Sequence, residues 1–167
     1  MILNLQGEIN TDMVKDLIEF CNQGYDDNEI YLNSHGGNLA DMVVMLDIIN
    51  KRSRSTTLIG YEQLSSAAFV LFYSVNCKIE IINDCFGMFH KAYSAFNLHS
   101  DGNVKKDFDK FQLSIMSNMQ ESLDLLIKRL KFNKTEIAKY KDGKDVYFAQ
   151  NRMLEFAEIR NKENKYI

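Results

Sequence analysis

Glu29-Ile30-Tyr31-Leu32-Asn33-Ser34-His35-Gly36-Gly37-Asn38 is the stretch that decides the fold. Its first five residues read as a strand. Gly36 and Gly37 then let the backbone turn sharply and present N–H groups at the strand's end. Leu39–Ile49 follows with Met42, Val43, Leu46 and Ile49 at helical spacing. A strand, a tight turn and a helix in that order form one βα unit.

The same unit recurs on both sides. Upstream, Ile2–Leu5 is a short apolar strand closed by Gly7, and Thr11 caps a helix over Asp12–Cys21 that Gly24 stops. Downstream, Ser55–Ile59 is a strand closed by Gly60, and Ser65–Tyr73 is a helix apolar on nearly all sides. Lys78–Ile82 and Phe86–Phe89 are further strands joined by an Asn83-Asp84 turn. Val104–Leu130 carries a long polar–apolar helical repeat. Another helix begins at Asn133 or Thr135 and ends near Tyr140, before an Asp142-Gly143 turn. Asp145–Phe148 is extended and Asn151–Ala157 is the last helix. Strands alternating with helices predict an α/β fold with a largely parallel sheet, in a single domain spanning residues 1–167.

The composition fits that class. The chain has 167 residues, of which 46% are hydrophobic and 26% charged, enough apolar material for one core. Its net charge of −3 argues against a bulk nucleic-acid binder, which needs a clustered basic surface. No apolar run is long enough to span a bilayer, and the first residues lack the basic and apolar regions of a signal peptide. Cys21, Cys77 and Cys85 have no paired spacing, so neither a disulfide framework nor a zinc site is expected, and a reducing cytoplasm is the expected location. No metal and no cofactor are expected. The absence of proline beside 16 asparagines suggests A/T-rich coding, as in bacterial viruses and low-GC bacteria, with the host cytoplasm as the location in the viral case.

Three strand ends offer chemistry. The first is Asn33-Ser34-His35-Gly36-Gly37, whose N–H groups suit an oxyanion hole or simply turn the chain. The second is Ser65-Ser66, opening an apolar helix, where a serine is either a nucleophile favoured by the helix dipole or an ordinary cap. The third is His90, closing Phe86–Phe89, either a general base or a half-buried structural residue. His99-Ser100-Asp101 carries the letters of a catalytic triad, but neighbours in one turn cannot converge on a reacting atom.

In order and spacing, these segments resemble the proteolytic subunit of the Clp protease, a serine peptidase of the crotonase-like superfamily. Glu29–Asn38 is similar to that family's strand and Asn-Ser-Pro-Gly-Gly turn. Ser65-Ser66-Ala67-Ala68-Phe69-Val70-Leu71 is similar to its nucleophile-bearing helix start, and Met88-Phe89-His90-Lys91 to its Met-Ile-His-Gln stretch. Asp145-Val146-Tyr147-Phe148 and Met153–Ala157 resemble its aspartate-aromatic stretch and following helix. The resemblance implies a spiral of ββα units with a protruding long handle helix, the handle region covering about residues 93–141. It implies Ser65 as nucleophile, His90 as general base and Asp145 as the orienting acid, with Asp142 as fallback. Gly36, Gly37 and the N–H of Ser66 would form the oxyanion hole. It further implies cleavage of unfolded polypeptides inside a heptameric ring, or two such rings stacked as a tetradecamer. A Clp-type AAA+ unfoldase or a host's own ClpP subunits would be partners.

The sequence also departs from the family pattern. His35 stands in place of proline, Lys91-Ala92 replaces a polar-proline pair, and Tyr61 and Glu62 replace small residues and are expected to reshape or block the pocket. The chain opens almost directly on its first strand, so axial loops that engage an unfoldase are expected to be missing. These departures favour an alternative, a catalytically impaired regulatory or scaffold subunit that joins or modulates rings. Acyl-thioester chemistry and a membrane-anchored Ser–Lys peptidase complete the alternatives.

Overall fold

The computed structural model describes residues 1–24, 27–91 and 117–165. Strand β1 (Ile2–Ile9) leads into helix α1 (Thr11–Asn22), β2 (Asn28–Gly37) into α2 (Leu39–Lys51), and β3 (Thr56–Ser65) into α3 (Ala67–Ser74). Strands β4 (Lys78–Ile81) and β5 (Phe86–Phe89) follow. Helix α4 is described over residues 117–129. Helix α5 (Lys134–Lys141), strand β6 (Val146–Phe148) and helix α6 (Gln150–Glu163) complete the chain. The strands form one sheet in the order β1-β2-β3-β5-β6, with β4 also paired to β3. Every pairing is parallel except β5 with β6. This is the α/β architecture with a mostly parallel sheet that the strand–helix alternation predicts.

Asparagines set the helix starts. The Asn10 side chain accepts from the N–H groups of Asp12 and Met13, so Asn10, not Thr11, caps α1. Asn38 does the same for α2 through Ala40 and Asp41. Asn133 and Glu136 form a reciprocal capping box on α5.

Strand β3 differs from its sequence reading. Gly60 does not close it. A Cβ there would lie 2.6 Å from Leu64 Cδ1 and 3.0 Å from side-chain atoms of Ile81 and Phe72, so glycine is needed for close packing inside the strand. The strand continues five residues further, through a bulge. Its register with β2 advances from Leu32↔Gly60 to Ser34↔Leu64, and Glu62 sits there with φ +54°. Before the bulge β3 pairs with β4, and after it with β5. The bulge thereby turns the end of β3 toward the strand that carries His90.

Beneath this junction lies an aromatic cluster. The ring of Phe69 packs on those of Tyr73, Phe89, Phe148 and Phe156, and Phe132 stacks on Phe156. Each buried phenylalanine is worth about 1.5–3 kcal/mol of apolar burial. Arg160, fully buried, donates to the carbonyls of Tyr73 and Val75 where α3 ends. The cluster thus holds α3, and with it the turn at its start, at a fixed height above the sheet.

The described part of the long helix is not a free protrusion. Leu123, Leu126, Ile127 and Leu130 are buried in the same core as the sheet. The first part of the expected handle region, residues 93–116, lies outside the described residues, His99-Ser100-Asp101 with it.

Candidate active site

Three elements of the βα pattern converge at the C-terminal ends of β2, β3 and β5. The chain leaves β3 through Ser66, which has φ +55° and ψ −122°, a backbone state an L residue adopts only when its surroundings hold it there. The sharp strand-to-helix turn lifts the Ser66 side chain off the end of the sheet. Its Oγ lies 2.7 Å from Nε2 of His90, the residue after β5. On the other side of the imidazole, Nδ1 is 3.6 Å from Oδ1 of Asp145, the residue before β6. A hydroxyl, an imidazole and a carboxylate therefore stand in line. The His90 side chain is 23% exposed and that of Asp145 43%.

The serine that meets His90 is Ser66, not Ser65. Ser65 is the last residue of β3, is 1% exposed, and its Oγ accepts from Gln63 Nε2 at 2.9 Å. Spacing in sequence does not separate the two, since both lie one helix and two short strands ahead of His90. The separating signal is local: the apolar helix begins at Ala67, so its N-cap is Ser66.

The expected oxyanion donors also shift. The N–H of Ser66 donates to the carbonyl of Met88 at 2.8 Å, which ties the turn to β5 and removes that N–H from the site. The N–H of Gly36 donates to Ser34 Oγ at 3.1 Å. Gly37 lines the cleft beside Ser66 and His90. Ala67, which the sequence reading did not single out, also lines it and is the first residue of α3, where N–H groups have no partner inside the helix. Gly36 keeps this corner open. A Cβ on it would fall 2.7 Å from Ser66 Cβ and 3.1 Å from the Ala67 nitrogen.

The remaining expectations fall elsewhere. Asp142 caps the end of α5 and pairs with Lys144, so it is not the acid that faces His90. Tyr61 and Glu62 do not line the cleft. The Tyr61 hydroxyl donates to Asn4 Oδ1 at 2.7 Å, and Glu62 accepts from Asn33 Nδ2 at 2.6 Å, at the bulge. His35 is exposed near the end of β2.

From Ser66 and His90 a cleft of about 440 Å³ runs between α2, α3 and the described part of α4. Its walls are mainly aliphatic. Among the described residues no group of three or more His, Cys, Asp and Glu side chains is placed to hold a metal ion. Among them, too, no helix is long and apolar enough to cross a membrane.

No protein-family model matches the chain, and no curated protein matches it by sequence. Solved structures do match. A point mutant of ClpP1 from Listeria monocytogenes superposes with a TM-score of 0.67 over 93% of this chain and 86% of that one, at 17% identity. The ClpP protease catalytic domain from Plasmodium falciparum gives 0.65 over 93% and 80%, at 20% identity. The chain has the ClpP-like fold.

Proposed function

We propose that this ClpP-like chain is a serine hydrolase of the peptidase type, with Ser66 as nucleophile, His90 as general base and Asp145 as the carboxylate that orients the imidazole. The observation that carries the reading is the 2.7 Å contact between Ser66 Oγ and His90 Nε2 at a strained strand-to-helix turn. A serine hydroxyl is too weakly acidic to attack an amide unaided. With its Nδ1–H directed at Asp145, His90 presents the Nε2 lone pair to the Ser66 hydroxyl. Ser66 Oγ attacks the carbonyl carbon as its proton passes to Nε2. The same proton then goes to the departing amine as the C–N bond breaks. Water, deprotonated by His90, releases the acyl group. The N–H groups of Ala67 and Gly37 are the donors assigned to the oxyanion, and the Gly36 N–H joins them when it leaves Ser34 Oγ.

The substrate class is unfolded polypeptide, and the working form a ring of copies of this chain with its sites facing inward. A fluorogenic peptide and unfolded casein, incubated with the assembled protein, test this. Both are cleaved by the wild type and by neither Ser66→Ala nor His90→Ala. The 3.6 Å gap between His90 and Asp145 favours a second reading, a regulatory subunit that keeps the fold without the activity. Absence of cleavage by a correctly assembled wild type decides for it.

A further inference from the structure

Helix α5 ends on four carbonyls that have no partner inside the helix. Backbone N–H groups of the following turn meet three of them. Asp142 donates to Ala138, Lys144 to Lys139, and Gly143, with φ +72°, to Tyr140, each at 3.0 Å. The fourth carbonyl, that of Lys141, is met from outside: Nζ of Lys91 donates to it at 3.0 Å. The same ammonium lies over the Tyr140 ring, 5.9 Å from its centroid. Tyr140 is itself held firmly. It is buried, stacks on Phe89 at 5.1 Å, and its hydroxyl accepts from Gln120 of α4 at 2.9 Å. Lys91 is one of the positions at which the sequence departs from the family pattern it resembles.

The contact has a place in the site. Phe89, His90 and Lys91 follow one another out of β5 and face the end of α5 and the turn after it: Phe89 on Tyr140, His90 on Asp145, Lys91 on Lys141. The β5–β6 ladder ends at Phe89 and Val146, one position short of His90 and Asp145. Their 3.6 Å separation is just longer than a hydrogen bond, so a movement of about half an ångström makes or loses that bond. The turn that carries Asp145 starts directly from the carbonyl that Lys91 holds.

We infer that Lys91 is a positioning residue: by tying the last carbonyl of α5 to the end of β5, it holds the Asp145 turn against His90. This deepens the proposed function and rests on the assignment of Ser66, His90 and Asp145. Lys91 touches no reacting atom and acts through the carboxylate alone.

The test replaces the donor and keeps the packing. Lys91→Met preserves the length of the side chain over Tyr140 but cannot donate. On a fluorogenic peptide it is expected to lower kcat about tenfold, less than the loss of Asp145 itself, with KM within about twofold. Lys91→Arg, whose guanidinium can donate to the same carbonyl and lie on the same ring, is expected to restore kcat to within about threefold of wild type. Lys128→Ala removes an exposed positive charge from the same hollow, and is expected to leave kcat within about twofold. Thermal unfolding checks that the variants are folded.

Imidazole nitrogen shifts of His90, identified by their absence in His90→Gln, read the geometry without activity. On the neutral ring the wild type is expected to hold the Nδ1–H tautomer, directed at Asp145. Lys91→Met is expected to move toward the Nε2–H form that free histidine prefers, as Asp145→Asn does, while Lys91→Arg stays with the wild type. An unmoved tautomer or wild-type kcat in Lys91→Met overturns the inference. So does an equal loss of kcat in Lys128→Ala, which would assign the effect to charge. If the wild type cleaves nothing, the triad assignment is what has failed. The tautomer comparison then decides alone: a shift in Lys91→Met that Lys91→Arg reverses supports the inference, and no shift refutes it.

Discussion

His90 and Asp145 stand opposite each other at the open end of the β5–β6 ladder. The antiparallel register pairs Gly87 with Phe148, Met88 with Tyr147 and Phe89 with Val146, so the next position brings the imidazole to the carboxylate, with Nδ1 3.6 Å from Oδ1. Backbone pairing, not a long flexible loop, sets their approach. The Tyr147 hydroxyl, 3.3 Å from Oδ2 of Asp145, contacts the carboxylate's other oxygen.

Asp145→Asn is therefore expected to keep the fold and lower kcat by about 10²-fold, the scale of losing an oriented proton acceptor, with KM little changed. Steady-state kinetics on a fluorogenic peptide measures it. Asp142→Asn, on the far side of the turn, is expected to leave kcat within about twofold.

Gly37 should be the least replaceable residue of the Gly-Gly turn. A Cβ on it would sit 2.3 Å from the carbonyl oxygen of Ile9 and 2.8 Å from its nitrogen, and its φ is +146°. Those neighbours are backbone atoms and cannot swing aside. Gly37→Ala is expected to cost about 3 kcal/mol or more, because it forces β1 and β2 apart. Gly143→Ala, where φ is +72° and an added Cβ would meet no atom within 4 Å, should cost about 1–2 kcal/mol, the left-handed backbone penalty alone. Urea unfolding of the two variants makes the comparison.

Much of the fold follows from the sequence because local and tertiary preferences agree. The Glu29–Asn33 strand, the Gly36-Gly37 turn and the Leu39–Ile49 helix each satisfy propensity and burial together. The end of β3 does not. Gly60 reads as a stop, yet it is placed by the side chains that crowd it, Leu64 beyond the bulge of the same strand and Phe72 and Ile81 from the elements that follow. The same strand hides the bulge at Glu62, which decides which of two adjacent serines leaves the sheet. No periodicity encodes a bulge, so the serine that meets His90 is one residue beyond the Ser65 that the family resemblance implies. His90 is fixed by the strand it closes, whereas the choice between Asp142 and Asp145 is settled only by the β5–β6 pairing, which sets Asp145 opposite His90.

The cysteines give a prediction about pH. Burial pushes the thiols of Cys77 and Cys85 up to about 12, and that of Cys21 up by less. Cys77 and Cys85 therefore stay protonated in the folded chain at pH 8 and are expected to resist iodoacetamide until the protein unfolds. Between their ordinary value of 9.0 and about 12, the unfolded chain releases these protons and the folded chain holds them. Stability contributed by the two thiols is thus complete below pH 9 and declines as pH rises through that window. Mass spectrometry of alkylated peptides, with and without urea, reads the protection. Unfolding midpoints at pH 8 and pH 10 read the decline.

The most direct test of the account locates a covalent adduct. Wild-type protein treated with a fluorophosphonate, digested and sequenced by tandem mass spectrometry is expected to carry the label on Ser66. The label should persist in Ser65→Ala and vanish in Ser66→Ala and His90→Ala. An adduct on Ser65, or labelling that survives in Ser66→Ala, would contradict it.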